Sequence, residues 1–237
     1  MQFVWIPILG AVFFFSQVYG AEAQALKTQK DKVSYLIGAD IGNNFKRQEI
    51  DIDADILARG IKDAVAGKKP PLSDQEITDI MSSFQKEMTA KQEKRLKALG
   101  EKNKKEGEAF LAENKKKEGV KTQPDGLQYK VIKEGTGKKP ALTDTVTANY
   151  RGTLVNGTEF DSSYRRGTPA SFPVNGVIPG WTEALQMMKE GSKWQLFIPS
   201  NLAYGERGTP NGAIGPHAVL IFEVELVSVQ EGKPAKK

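Results

Sequence analysis

The segment AVLIFEVELVSV, residues 218–229, decides the fold of the C-terminal half of the chain. Apolar side chains alternate with charged or polar ones along much of it, and this period of two is typical of a strand with one buried face. The inward positions are Leu220, Phe222, Val224 and Leu226. The segment therefore predicts a long strand whose apolar face packs into the core of a sheet.

Shorter alternating segments and a single helix precede this strand. The helical pattern PGWTEALQMMK, residues 179–189, places Trp181 and Leu185 on one side. The Asn156-Gly157 pair is typical of a two-residue hairpin turn. Together these features predict an α+β fold in which an antiparallel sheet wraps on one short helix. The other candidate strands lie at residues 127–132, 146–150 and 194–198.

In the N-terminal half, apolar residues recur at the spacing that is typical of helices. A second helix is predicted at residues 53–66, with Gly67 in a position typical of a C-cap. About 50 residues of modest hydrophobicity bury too little surface to be stable alone. We therefore expect a homodimer formed through residues 26–90, with Gly38 and Gly42 allowing a close approach between helices. The first helix is predicted from apolar residues at helical spacing, namely Val33, Leu36, Ile37, Ile41 and Phe45.

A very long third helix is predicted from Glu76 to about Glu118, because this stretch contains no proline. Its apolar stripe thins after Lys91, where charged residues dominate. This pattern favours a solvated connector. Gly100 and Gly107 are candidate bends, because glycine weakens a helix.

The first twenty residues are typical of a signal peptide. Residues 3–15 are almost purely apolar but shorter than a membrane span needs, and the small residues Gly20, Ala21 and Ala23 allow cleavage after Gly20 or Ala23. No Lys or Arg precedes the apolar run, so an uncleaved anchor is the alternative. Either interpretation predicts export to the periplasm, the outer membrane or the medium.

The composition excludes several classes of chemistry. The chain has no cysteine and one histidine, His217, which follows a proline at a strand start and is predicted to be structural. Thiolate metal sites, disulfides and a cysteine nucleophile are therefore impossible, and we expect no cofactor and no metal. The net charge is +5, with the basic excess in residues 85–119 and in the tail. Residues 85–109 lack aromatic side chains for base stacking, so we expect no nucleic-acid partner.

Four segments of the C-terminal half carry distinctive motifs, namely GTEFDSSYRRGTP at residues 157–169, VIPGWTEALQMMKEG at 177–191, SNLAYGERG at 200–208 and IGPHAVLIFEVEL at 214–226. In this order they resemble the FKBP-type peptidyl-prolyl isomerases, a family that binds tacrolimus and rapamycin. The N-terminal segment SYLIGADIG, residues 34–42, and the long charged helix resemble the macrophage infectivity potentiator subgroup, which forms homodimers.

The sequence patterns and the resemblance together predict five regions along the chain. These are a signal peptide at residues 1–20, a helical dimerisation domain at 21–75, a linker helix at 76–118, an isomerase domain at 119–230 and a disordered basic tail at 231–237.

The resemblance also implies the pocket residues. Trp181 would form the floor, while the Tyr204 hydroxyl and the Ile178 N–H would bind the substrate carbonyls. Asp161 would polarise the site. The implied catalytic residues are Asp161, Tyr204, Trp181, Phe222 and Tyr150, and the implied substrate-binding residues are Phe160, Arg166, Val177, Ile178 and Ile214.

Rotation about an X-Pro bond makes and breaks no covalent bond, so the chemistry suits a chain without a strong nucleophile. The barrier of roughly 18–20 kcal/mol comes from amide resonance. A planar amide is more dipolar than a twisted one, so an apolar pocket that excludes water favours the twisted state. The expected function is isomerisation of proline-containing, unfolded polypeptides. The alternatives are a holdase chaperone and a surface-exposed, matrix-binding protein.

Overall fold

The computed structural model describes residues 26–232. The predicted signal peptide and residues 233–237 of the predicted tail lie outside the described residues. The chain divides into two compact units, Met1–Asp74 and Gln75–Lys237. Within residues 26–232, no helix is long and apolar enough to cross a membrane.

Two helices make up the described part of the first unit, as the sequence predicts. Helix α1 spans Gln29–Gln48 and helix α2 spans Ala54–Val65. The Asp53 carboxylate caps α2 by accepting the backbone N–H groups of Asp55 and Ile56. Gly67 follows the end of α2 with a φ of +69°, the left-handed conformation expected at a helix C-terminus. Neither helix contains a buried residue.

Helix α3 spans Asp74–Asn114 and belongs to the second unit except for its first residue. The helix continues through Gly100 and Gly107, so neither candidate bend interrupts it. Both glycines are buried. A Cβ at Gly107 would lie 2.6 Å from the Val219 Cγ2, so glycine here lets the helix approach the C-terminal domain. One face of this otherwise exposed, charged stretch therefore packs on the C-terminal domain.

A seven-stranded antiparallel sheet forms the C-terminal domain, in agreement with the predicted fold class. Strand order is β1-β2-β6-β7-β3-β4, and β5 pairs with β3. The opening segment corresponds to β7, which lies between β6 and β3. The strands are β1 Val120–Thr122, β2 Gln128–Lys133, β3 Thr145–Leu154, β4 Glu159–Ser162, β5 Ala170–Pro173, β6 Lys193–Ile198 and β7 Leu220–Gln230.

The β3–β4 hairpin has a longer turn than the predicted two-residue one. The Leu154 N–H donates to the Thr158 carbonyl, and the Gly157 N–H donates to the Leu154 carbonyl, so the turn occupies residues 155–157. Gly157 has a φ of +85°. A type I turn followed by a left-handed glycine suits the strand twist as a two-residue type I turn would not.

Two helices lie between the strands, and both position the site described below. Helix α5 spans Pro179–Met187 and buries Trp181 and Leu185 in the core. A Cβ at Gly180 would lie 2.5 Å from the Ile198 Cγ2, so this glycine brings α5 close to β6. The short helix α4, Ser163–Arg166, was not predicted.

The carboxyl groups of Glu183 and Asp125 interact on this domain, and their interaction makes the stability of the folded chain depend on pH. Burial, a hydrogen bond with Asp125 and the charge of Asp125 raise the pKa of Glu183 to about 7, from 4.5. Between these values the folded chain holds a proton that the unfolded chain has lost. The contribution of Glu183 to stability is therefore present below pH 4.5 and declines as the pH rises to about 7.

We expect the Glu183→Gln variant to be more stable than the wild type at pH 8 and nearly equal to it at pH 4. After allowance for solvent screening the gain is about 1 kcal/mol, or roughly 2–4 °C in Tm. Thermal unfolding at both pH values measures it. Glu134→Gln is the control, because Glu134 is exposed. An equal gain in Tm at both pH values would contradict the raised pKa of Glu183.

Candidate active site

A concave pocket of about 590 Å³ opens in the C-terminal domain. Every residue that the family resemblance implied lines this pocket, except Arg166. The residues come from β3, β4, β5, α5, β7 and the loop before β7. The full lining is Tyr150, Phe160, Asp161, Phe172, Gly176, Val177, Ile178, Trp181, Tyr204, Thr209, Asn211, Ala213, Ile214 and Phe222.

Trp181 is the centre of the aromatic part of the pocket. Its ring centroid lies 5.3 Å from that of Tyr150, 5.8 Å from that of Phe172 and 5.2 Å from that of Phe222, each at a steep angle. Edge-to-face contacts of this kind add stability beyond the buried area. Trp181 is 4% exposed, so these neighbouring rings enclose it on several sides.

A glycine in β3 makes room for two of the pocket's rings. A Cβ at Gly152 would lie 2.7 Å from the rings of both Phe160 and Phe222. Those rings meet at a centroid distance of 5.4 Å, nearly perpendicular to each other. Any larger residue at position 152 would displace the rings from the pocket wall.

Asp161, Tyr150 and Arg166 form a polar corner beside the aromatic floor. The Tyr150 hydroxyl donates to the Asp161 Oδ2 at 2.5 Å and accepts from the Arg166 Nη2 at 2.6 Å. The Arg166 Nη1 also donates to the Asp161 carboxylate, and the Ser162 backbone N–H donates to it at 2.8 Å. The corner is a closed network in which the carboxylate has several donors.

The network sets the charge state of the corner. Partial burial disfavours the Asp161 carboxylate, but hydrogen bonds from Tyr150 and Arg166 outweigh this effect and lower the pKa of Asp161. Burial and the hydrogen bond to Asp161 raise the pKa of the Tyr150 hydroxyl. At neutral pH the corner therefore holds an ionised aspartate and a neutral tyrosine.

The unpredicted helix α4 explains the position of Arg166. The Ser162 hydroxyl accepts the Arg165 N–H at the start of the helix, and Gly167 ends it with a φ of +74°. Arg166 is thus carried back toward β3. It contacts the pocket through Asp161 and Tyr150 rather than lining the cavity.

The loop before β7 supplies the opposite rim of the pocket. Tyr204 is 42% exposed, whereas Ile214 is buried. The Thr209 N–H donates to the Ile214 carbonyl at 2.8 Å, which closes the loop on itself. The His217 N–H donates to the Gly205 carbonyl, and His217 does not line the pocket.

Several lining residues were not predicted. Phe172 contacts Trp181, and its place in β5 between the exposed Ser171 and Pro173 was the available signal, since inward residues alternate along a strand. Thr209, Asn211 and Ala213 lie in a loop without periodicity, so no local pattern of the sequence marks them.

Comparisons with known proteins match both halves of the chain. Residues 30–131 match the model of the domain amino terminal to FKBP-type peptidyl-prolyl isomerase, and residues 136–227 match FKBP-type peptidyl-prolyl cis-trans isomerase. The outer membrane protein MIP of Legionella longbeachae is 48% identical over 98% of both chains. The peptidyl-prolyl cis-trans isomerase Mip of Coxiella burnetii is 46% identical over 88% of this chain and 90% of that one.

A solved structure supports the same assignment. The crystal structure of FkpA from Escherichia coli superposes with a TM-score of 0.67 at 41% identity, covering 88% of this chain and all of that one. Sequence and structural similarity thus extend over the helical half as well as the sheet. The chain belongs to the FKBP-type peptidyl-prolyl cis-trans isomerases.

Proposed function

We propose that the pocket accelerates X-Pro isomerisation without a covalent intermediate, by binding the twisted amide more tightly than the planar one. The observation that carries this proposal is the ring cluster around Trp181, which gives an apolar floor beside a single polar corner. An apolar surface favours the less dipolar twisted amide over the planar ground state.

Two polar groups at the rim can fix the substrate on either side of the proline. Ile178 is the N-cap of α5, so its carbonyl accepts intrahelical bonds, whereas its N–H lies outside them. The Tyr204 hydroxyl belongs to a half-exposed side chain that lines the cavity. We assign both groups to the carbonyls that flank the rotating bond.

The serines near the pocket support the non-covalent mechanism. The Ser163 hydroxyl accepts the Tyr150 N–H at 2.9 Å and contacts the Asn149 side chain, and Ser163 is fully buried. Ser162 is the N-cap of α4. Both hydroxyls thus hold structure, and neither Ser162 nor Ser163 lines the pocket.

The assignment of Tyr204 is tested by removing its hydroxyl alone. We expect Tyr204→Phe to lower kcat/KM for an X-Pro tetrapeptide by roughly fivefold, the scale of one hydrogen bond. The melting temperature should stay unchanged, because the side chain is half exposed. Tyr164→Phe is the control, since Tyr164 is equally exposed and does not line the pocket. An unchanged rate for Tyr204→Phe would remove the hydroxyl from the mechanism.

The helical half supports the proposal of a homodimer through residues 26–90. Leu36 is 65% exposed and Ile37 is 58% exposed, and a folded chain rarely leaves such a surface in water. A Cβ at Gly38 or Gly42 would meet nothing within 4 Å in the single chain, so a second helix has room to approach. A holdase would use the same apolar surface for unfolded clients.

The relatives suggest the compartment in which the protein acts, and the pocket suggests its substrates. The name of one relative, outer membrane protein MIP, agrees with the predicted export of this chain to the periplasm or outer membrane. We therefore assign unfolded, proline-containing exported polypeptides as substrates. Tacrolimus-type macrolides are the corresponding inhibitors, because family resemblance assigns them to this pocket.

A further inference from the structure

The face of α3 that packs on the C-terminal domain has an unusual composition. Its contact residues are Leu99, Gly100, Asn103 and Gly107, which share one side of the helix because they lie three or four positions apart. A Cβ at Gly100 would lie 3.2 Å from the Pro216 Cβ and 3.3 Å from the His217 ring. The helix backbone therefore approaches residues 215–219 closely.

Asn103 makes the one polar contact of this face with the loop among the described residues. Its Nδ2 donates to the Pro216 carbonyl at 2.7 Å. Next to it, Gly215 lies so close that an added Cβ would be 2.9 Å from the Leu99 Cδ2 and 3.1 Å from the Asn103 Nδ2. Helix α3 thus contacts the Gly215-Pro216 pair in two ways, through a hydrogen bond to the Pro216 backbone and through close packing on Gly215.

The same loop forms the rim of the pocket on its other side. Ile214, directly before Gly215, is buried and lines the cavity. The Ile214 N–H donates to the Thr209 hydroxyl at 2.9 Å, and the His217 N–H donates to the Gly205 carbonyl at 2.8 Å beside Tyr204. A displacement of residues 215–217 would therefore move Ile214 and Tyr204 together.

We propose that Asn103 is a positioning residue for the isomerase reaction, because its hydrogen bond to Pro216 fixes the loop that carries Ile214 and Tyr204 at the pocket rim. Asn103 does not line the pocket and acts only through the loop. This inference rests on the proposed function. It makes the end of the long helix a support of the active site rather than a spacer alone.

The proposal is tested in the full chain with Asn103→Asp, which keeps the shape but replaces the donor with an oxygen facing the Pro216 carbonyl. We expect KM for an X-Pro tetrapeptide to rise about fivefold, the scale of one hydrogen bond, with kcat within about twofold. A loosened loop must be ordered on binding, so the loss falls on KM. Leu99→Ala, which removes the packing on Gly215 instead, should also raise KM.

Asn114→Asp is the matched control on the same helix. The Asn114 Nδ2 donates to the Gln128 side chain at 3.0 Å, so its loss loosens the helix on β2 and not on the rim loop. We expect this control to leave KM within about twofold. Equal KM in the Asn103 and Asn114 variants, or an unchanged KM in both Asn103→Asp and Leu99→Ala, would overturn the proposal. Absence of activity in the wild type would instead refute the proposed function.

Discussion

In the Asp161→Leu variant we expect kcat/KM for an X-Pro tetrapeptide to fall at least about tenfold, or 1.4 kcal/mol of transition-state stabilisation. The Asp161 carboxylate holds the Tyr150 hydroxyl and the Arg166 guanidinium in place. Leucine leaves both donors without their acceptor beside the aromatic floor. The pocket then loses its polar corner while the sheet that carries it is retained.

The control for this prediction is Glu159→Leu on the same strand. Glu159 forms ion pairs with Arg151 and Arg165 and does not line the pocket. The Glu159→Leu variant therefore measures the effect of losing a carboxylate from β4 alone. Its kcat/KM should stay within about twofold of the wild-type value. If Asp161→Leu and Glu159→Leu reduce the rate equally, the polar corner has no specific role.

The second large effect concerns helix α3, the arm that precedes the isomerase domain, and its role with an unfolded protein substrate. One pocket contacts only a few residues around a proline, so its affinity for a long client is weak. Two pockets joined in a dimer can engage one chain twice, and the avidity can rise by about 10²–10⁴. Helix α3 contains 41 residues and so spans about 60 Å, and in the proposed dimer its part before Leu99 would hold the two pockets apart.

We expect the double variant Leu36→Glu, Ile37→Glu to become monomeric, because charges on an apolar interface cannot be buried unpaired. Its rate on the tetrapeptide should stay unchanged. Its acceleration of proline-limited refolding should drop at least about tenfold per pocket, within the avidity expected for two sites. Sedimentation and refolding kinetics measure both, and Lys46→Glu is the control, because Lys46 is exposed and lies nine residues from Ile37 on the opposite side of α1.

Retention of the dimer in the double variant would place the interface elsewhere. A monomer that refolds the protein as fast as the wild type would show that the arm acts only as a tether. A monomer that fails to suppress aggregation, yet isomerises normally, would favour the holdase use of this surface.

Much of the fold follows from local patterns in the sequence. The alternation at Leu220, Phe222 and Val224 predicts β7, because the period of a strand with one buried face is independent of its partners. The helical spacing likewise predicts Trp181 on the inner side of α5, whereas its place in the pocket was implied by the family resemblance alone. In contrast, α4 is too short to show a period, so no local pattern predicts the position of Arg166, which only the resemblance brought to the site.

The packing of α3 could not be predicted because two glycines and an asparagine, rather than a dense apolar stripe, make its closest contacts with residues 216–219. Gly100, Asn103 and Gly107 give no hydrophobic stripe, and glycines in a charged helix indicate flexibility when they are considered alone. Their role depends on Pro216 and Val219, which are more than a hundred residues away in the chain. Close backbone approach of this kind is a property of the tertiary structure.

The most direct measurement of the central claim is the cis–trans exchange rate of an X-Pro tetrapeptide, followed by NMR with a catalytic amount of the full chain. A tacrolimus-type macrolide is then added to saturation. Its binding is followed by the change in Trp181 fluorescence, and the Trp181→Phe variant shows which part of the signal comes from this residue. We expect fast exchange without the macrolide and a return to the uncatalysed rate with it. No acceleration, or an acceleration that persists when the macrolide is bound, would contradict catalysis in this pocket.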